Sequence, residues 1–152
     1  MRWLFATDGG YSNLVLRLAV GVVMFAHGAQ KVLGWFGGAG FTKSLNAFTN
    51  GMHLPMGIAL LVFAIEFLGG IGLIVGLLSR IAALGVGVEM VVAVQRIHFA
   101  NGFFMNWYGN QKGEGFEYHI LVIAICLAIL FRGSGRLSLD RAIASAMGGT
   151  AG

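Results

Sequence analysis

At 152 residues the chain has the length of one domain, and its composition excludes an ordinary soluble one: 57% of residues are hydrophobic and 11% charged, against about 25% charged in a typical soluble domain. Mean hydropathy is +0.81, as in an integral membrane protein. The net charge of +4 comes from basic residues scattered singly, so no nucleic-acid-binding patch forms, and a single cysteine, Cys126, excludes an intrachain disulfide or dithiol chemistry within the chain.

In chain order, residues 1–12 hold Asp8, Gly9 and Gly10 and are too polar for the apolar region of a signal peptide. A first apolar span runs from about Asn13 to Leu33. Its stretch Leu14 to Phe25, followed by Ala26, Gly28 and Ala29, has some likeness to a signal and cleavage site, but Lys31 and the loop beyond it read as a helix end. Next comes the glycine-rich turn Gly34-Trp35-Phe36-Gly37-Gly38-Ala39-Gly40. Phe41, Leu45 and Phe48 then fall at i, i+4 and i+7 among polar residues, which predicts an amphipathic helix lying in the membrane interface.

A second span, about Leu54 to Leu78, and a third, about Ile81 to Phe99, are separated by a minimal turn at Leu78-Ser79-Arg80. The connection Ala100 to Phe116 carries Phe103, Phe104, Trp107 and Tyr108, an aromatic belt at headgroup level. The fourth span, Glu117 to Phe131, is short and borrows its first turn from that loop. Each span approaches the roughly 20 residues that a bilayer core demands, and in lipid such segments must be helices.

The expected architecture is all-α: one four-helix transmembrane bundle over residues 1–141, with residues 142–152 a short polar tail. Ser138-Leu139-Asp140-Arg141 opens an amphipathic surface helix just before that tail. Gly72 and Gly76 form a G-x-x-x-G pair, and Gly69, Gly70, Ala83 and Gly87 add small surfaces for close helix packing, compatible with a homo-oligomer. Arg2, Arg17, Arg80, Arg132, Arg136 and Arg141 fall on one side of the spans and Lys31, Lys43, Arg96 and Lys112 on the other. The excess of positive charge therefore predicts both termini in the cytoplasm.

Two spans carry a glutamate near the middle, Glu66 and Glu89. An ionisable group at that depth is costly and must meet a partner, water or a site. Lys31 or Arg96 is the expected partner of Glu66, and Arg96, seven residues along the same helix, that of Glu89. Other polar residues gather at one depth in the outer half: His27, Gln30 and Lys31 on span one, Gln95, His98 and Asn101 on span three, and Glu117, Tyr118 and His119 on span four. The inner halves offer almost nothing comparable. Convergence of these clusters predicts a site with His27, Glu66, His98 and His119 as its reactive groups. Gln30, Lys31, Glu89, Gln95, Arg96, Asn101 and Glu117 would line it, while Cys126 reads as a small core residue.

The run His27-Gly28-Ala29-Gln30-Lys31-Val32-Leu33-Gly34-Trp35-Phe36-Gly37-Gly38, then Glu66-Phe67-Leu68-Gly69-Gly70, Gly76-Leu77-Leu78-Ser79-Arg80, Asn101-Gly102-Phe103-Phe104 and Glu117-Tyr118-His119, resembles the DoxX family of small four-span membrane proteins over roughly Leu14 to Asp140. The resemblance implies a multi-pass protein of the bacterial inner membrane linked to redox reactions. Family relatives include a subunit of a thiosulfate:quinone oxidoreductase, and others associate with superoxide-detoxifying and sulfurtransferase partners.

The outer cluster suits a quinone headgroup, which needs an apolar slot, donors at its carbonyls and groups that deliver protons. The histidines would donate to the carbonyls, Glu66 and Glu89 would relay protons, and Lys31 or Arg96 would supply positive charge. No haem, flavin or iron–sulfur motif accompanies them, so electrons would come from a partner redox protein. A second expectation uses His27, His98, His119 and Glu66 as a transition-metal ligand set, provided they converge on one point. A third is non-catalytic: a membrane anchor or assembly subunit whose loops recruit redox partners.

Overall fold

The computed structural model describes residues 2–148; Met1, the Arg2 side chain and residues 149–152 at the end of the expected tail lie outside the described residues. Helices and turns account for the described chain, with no strand among the described residues. The elements are α1 (Arg2–Phe5), α2 (Tyr11–Val32), α3 (Phe41–Asn46, continued by a π turn Ala47–Gly51), α4 (Met56–Val75), α5 (Ser79–Asn101), α6 (Glu117–Arg132) and α7 (Leu139–Ala146). Three of these, α2, α4 and α5, are long and apolar enough to cross a membrane. With 16 residues, α6 reaches about 24 Å at 1.5 Å per residue, short of a core of about 30 Å. It packs along α5, and Val20, Met24, Leu73, Ala83, Val86, Met90, Val122, Cys126 and Ile129 form the core among α2, α4, α5 and α6.

Lipid gives apolar helices no hydrophobic reason to associate, so close van der Waals approach must hold them together. Glycines supply it where α2 meets α4. A Cβ at Gly28 would lie 2.5 Å from the Phe67 backbone, one at Gly70 2.5 Å from Phe25 N, and one at Gly21 2.9 Å from Leu73 Cβ. The two backbones are therefore in contact. Gly70 is used as expected, whereas Gly76 is a helix terminator: its φ of 71° ends α4, and its amide returns to Gly72 O. The segment after the glycine-rich turn is helical, as its spacing predicts, and Phe41 and Phe48 set their rings edge-on against Phe63 of α4.

Polar residues are not confined to one half of the spans, which corrects the sequence reading. Where the two chain ends gather, Asn13, Arg17, Ser79, Arg80, Ser134 and Asp140 are all buried. Arg17, 1% exposed, donates to the carbonyls of Leu73 and Ile74 at the end of α4 and to those of Ser134, Arg136 and Leu137. Arg80 likewise donates to Leu130 and Phe131 O at the end of α6 and to Ala6 O, with its guanidinium 4.5 Å from the Trp3 ring centre. The carboxylate of Asp140 accepts from the amides of Leu78 (2.7 Å) and Ser79 (3.0 Å) and from Ser134 Oγ, capping α5 from the far end of the chain. Asn13 donates to Gly133 O, and Ser138 caps α7 by accepting from Arg141 N. Two arginines read as topology charges thus serve as donors to helix-end carbonyls that have no partner of their own.

A buried lysine–glutamate site and a histidine-latched loop

Lys31 lies fourteen residues beyond Arg17 on α2, about 21 Å farther along at 1.5 Å per residue, at the end of the fold away from the chain termini. The Gly28 crossing one turn earlier presses α2 onto the backbone at Glu66 and Phe67. Here α4 is interrupted by a π turn, Ile65–Gly69, a local irregularity often found at functional sites. Lys31 Nζ is 2.8 Å from Glu66 Oε1 and 2.6 Å from Oε2; only the first contact has the angle of a hydrogen bond, so Oε2 has a charge neighbour but no donor. Glu66 is 6% exposed. From α5, Glu89 brings a second acid to the neighbourhood of Glu66 and Lys31, and its buried Oε2 has no donor among the described residues.

Glu89 therefore does not pair with Arg96, which lies exposed at the surface. Arg96 sits within a second π turn, Val94–His98; the wider turn rotates its side chain off the face it would share with Glu89 on a regular helix. For the same reason Gln95 faces outward while His98 is half-buried. His98 and His119 meet with ring centres 4.1 Å apart. Nδ1 of His98 is 2.8 Å from Glu114 O, and since a carbonyl only accepts, that nitrogen carries the proton. His119, 6% exposed, has no partner at Nδ1 among the described residues.

Other expected lining residues hold the loop instead. Asn101 donates to Glu114 O at 3.1 Å, and Glu117 accepts from Met105 N and Trp107 Nε1, each at 3.0 Å. Gln30 donates to Phe36 O at 3.3 Å across the glycine-rich turn. His27 is exposed on α2.

The expected single cluster is thus two: Lys31, Glu66 and Glu89 between α2, α4 and α5, and His98 with His119 under the loop. The metal set His27, Glu66, His98 and His119 is not assembled; among the described residues no three His, Cys, Asp or Glu side chains are grouped to hold a metal ion. His27 is exposed on α2, and only His98 and His119 of the set meet, with their rings tilted 44° to each other. Sequence periodicity did not bring Glu89 together with Lys31 and Glu66 because they stand on three different helices, and it missed the buried network at the terminal end because its acceptors are backbone carbonyls. Elsewhere, α5 walls an apolar groove of 260 Å³ with α6, lined by Ala83, Gly87, Val91, Ile123, Cys126 and Leu130.

The DoxX family model matches residues 12–105. A Bacillus subtilis (strain 168) protein named "Putative oxidoreductase CatD" is 31% identical over 128 residues, covering 84% of each chain. An "Uncharacterized protein" of Haemophilus influenzae (strain ATCC 51907 / DSM 11121 / KW20 / Rd) is 32% identical over 133 residues, covering 86% of this chain and 89% of its own. No solved structure matches the chain. The matched region contains Lys31, Glu66, Glu89 and His98, and this chain belongs to the DoxX family.

Proposed function

We propose that this chain is the membrane subunit of a quinone-linked oxidoreductase system, and that Lys31, Glu66 and Glu89 form its proton-exchanging site. The observation that carries this reading is the Lys31–Glu66 ion pair between α2 and α4, with buried carboxylate oxygens on Glu66 and on Glu89 lacking donors among the described residues. Such a group is costly to keep within a membrane span, and its retention is what a functional site requires. Family membership and the name of the Bacillus relative support a redox context.

In this reading α6 is the fourth span of a four-helix bundle in a bacterial inner membrane, with both termini cytoplasmic. The arrangement fits a quinone headgroup: Lys31 offers an N–H donor and a positive charge to a carbonyl oxygen, and the neighbouring carboxyl groups hold a transferable proton. A bound quinone supplies the two-electron acceptor chemistry. The apolar groove between α5 and α6 suits an isoprenoid tail. Electrons arrive from a partner redox protein, for which the exposed Phe104, Trp107 and Tyr108 offer a contact surface.

Binding of decylubiquinone to the chain in lipid nanodiscs tests this reading. Glu66→Gln removes the charge that holds Lys31 in place and should weaken binding at least about tenfold, the equivalent of about 1.4 kcal/mol. Equal affinity in the two proteins, or no binding to either, would refute it.

A further inference from the structure

Charge is unevenly placed along the helices. Where the termini gather, Arg2, Arg17, Arg80, Arg132, Arg136 and Arg141 stand against Asp8 and Asp140, whereas Lys31, Lys43, Arg96 and Lys112 share the rest of the chain with Glu66, Glu89, Glu114 and Glu117. The net charge of +4 therefore belongs to the terminal end. Its two acids are already engaged: Asp140 accepts from Leu78 N, Ser79 N and Ser134 Oγ, and Asp8 Oδ1 from Gly10 N at 3.1 Å. Among the described residues the salt bridge is Lys31–Glu66, and no guanidinium at the terminal end forms one.

These arginines divide by burial. Arg17 and Arg80 are buried and directed to backbone carbonyls. Arg132 and Arg136 are exposed and Arg141 is half-buried, on a segment fixed by its backbone: Asp8 N donates to Arg132 O (3.1 Å), Arg136 N to Gly10 O (3.2 Å) and Asp140 N to Gly76 O (2.9 Å). Arg141 Nη1 has no acceptor among the described residues. Apolar side chains stand among these cations. Leu137 is 77% and Leu139 47% exposed, and Leu139 and Ile143 share one face of α7 while Arg141 and Ser145 take the other. Exposed Trp3 and Tyr11 each stack on a guanidinium, that of Arg80 at 4.5 Å and that of Arg136 at 4.7 Å. Amphipathic helices and aromatic rings of this kind lie where headgroups meet hydrocarbon.

We propose that the terminal end seats an anionic phospholipid, whose phosphodiester oxygens accept from the guanidiniums of Arg132, Arg136 and Arg141 and whose acyl chains lie against Leu137 and Leu139. The planar fork of arginine presents paired N–H groups to phosphate. A free phosphate would meet the same donors but leave the leucines uncovered, so the apolar neighbours commit the seat to lipid. It lies at the opposite end of the fold from Lys31 and Glu66 and does not depend on what that site binds.

The test is native mass spectrometry of the full chain released from nanodiscs of equal parts phosphatidylglycerol and phosphatidylcholine. Wild type should retain phosphatidylglycerol in at least about tenfold excess, since each basic residue near an anionic surface adds to the attraction. The triple variant Arg132→Gln, Arg136→Gln, Arg141→Gln should hold the two lipids equally. Equal retention by wild type, or an undiminished preference in the variant, would overturn the seat. Thermal unfolding of the unaltered chain is a second measurement, so a misfolded variant does not decide the matter. Tm should rise as phosphatidylglycerol replaces phosphatidylcholine, and the rise should shrink in high salt. An equal rise on adding inorganic phosphate to phosphatidylcholine nanodiscs would show a free-anion site. No rise with phosphatidylglycerol would leave the arginines to a partner such as an acidic protein face. Either result contradicts the proposal.

Discussion

Arg17 shows how a single side chain can terminate several elements at once. Its guanidinium meets five carbonyls from α4 and the chain's end, and each acceptor left bare in a buried site costs about 1–3 kcal/mol. Arg17→Met keeps much of the apolar stem and removes every donor, so it should destabilise the protein by at least about 3 kcal/mol in detergent unfolding. A loss below about 1 kcal/mol would show that water already serves those carbonyls. The sequence displayed Arg17 as a charge near a span end, which is all that a linear pattern can display; the carbonyls that need it lie 56 to 120 positions away. Lys31 with Glu66 was legible as one of two pairings because both are isolated charges in apolar surroundings. The Glu89–Arg96 pairing failed because it assumed a regular helix across a π turn.

At the scale of elements, the α2–α4 crossing positions the site. Gly28 sits against the Phe67 backbone with no room for a Cβ, and the crossing sets the reach from Lys31 to Glu66. Gly28→Ala should cost about 1–3 kcal/mol and weaken decylubiquinone binding along with stability. Gly57, also within a span but with nothing within 4 Å of a Cβ, is the control: Gly57→Ala should be neutral or stabilising by up to about 1 kcal/mol. Equal effects at the two positions would mean that the crossing is not backbone-tight. The existence of the long apolar helices and of the helix α3 followed directly from hydropathy and spacing. Of the glycines expected to pack only Gly70 meets α2, because G-x-x-x-G marks a candidate face without naming its partner; Gly76 ends a helix, and Gly21 and Gly28 pack with Gly70.

Across the whole molecule, two polar regions occupy opposite ends of an apolar body. At the terminal end arginine, asparagine and amide donors meet carbonyls and the Asp140 carboxylate, with Arg80 Nε and Arg141 Nη1 left without acceptors among the described residues, whereas the Lys31–Glu66–Glu89 region keeps buried carboxylate oxygens without donors. Negatively charged acceptors left bare in a membrane span cost more than spare guanidinium donors at a helix end, so the second region is where a ligand or a proton belongs. For membrane orientation, reporter fusions at each terminus should place both in the cytoplasm; opposite locations would remove α6 as a fourth span.

The most direct measurement compares wild type with the double variant Lys31→Met, Glu66→Met for thermal stability and decylubiquinone affinity in the same nanodiscs. Replacing a buried ion pair by apolar side chains of similar size is often neutral or stabilising. Stability should be unchanged or higher, with affinity reduced at least about tenfold. Unchanged affinity in a stable double variant would show the pair to be a structural tie with no part in binding.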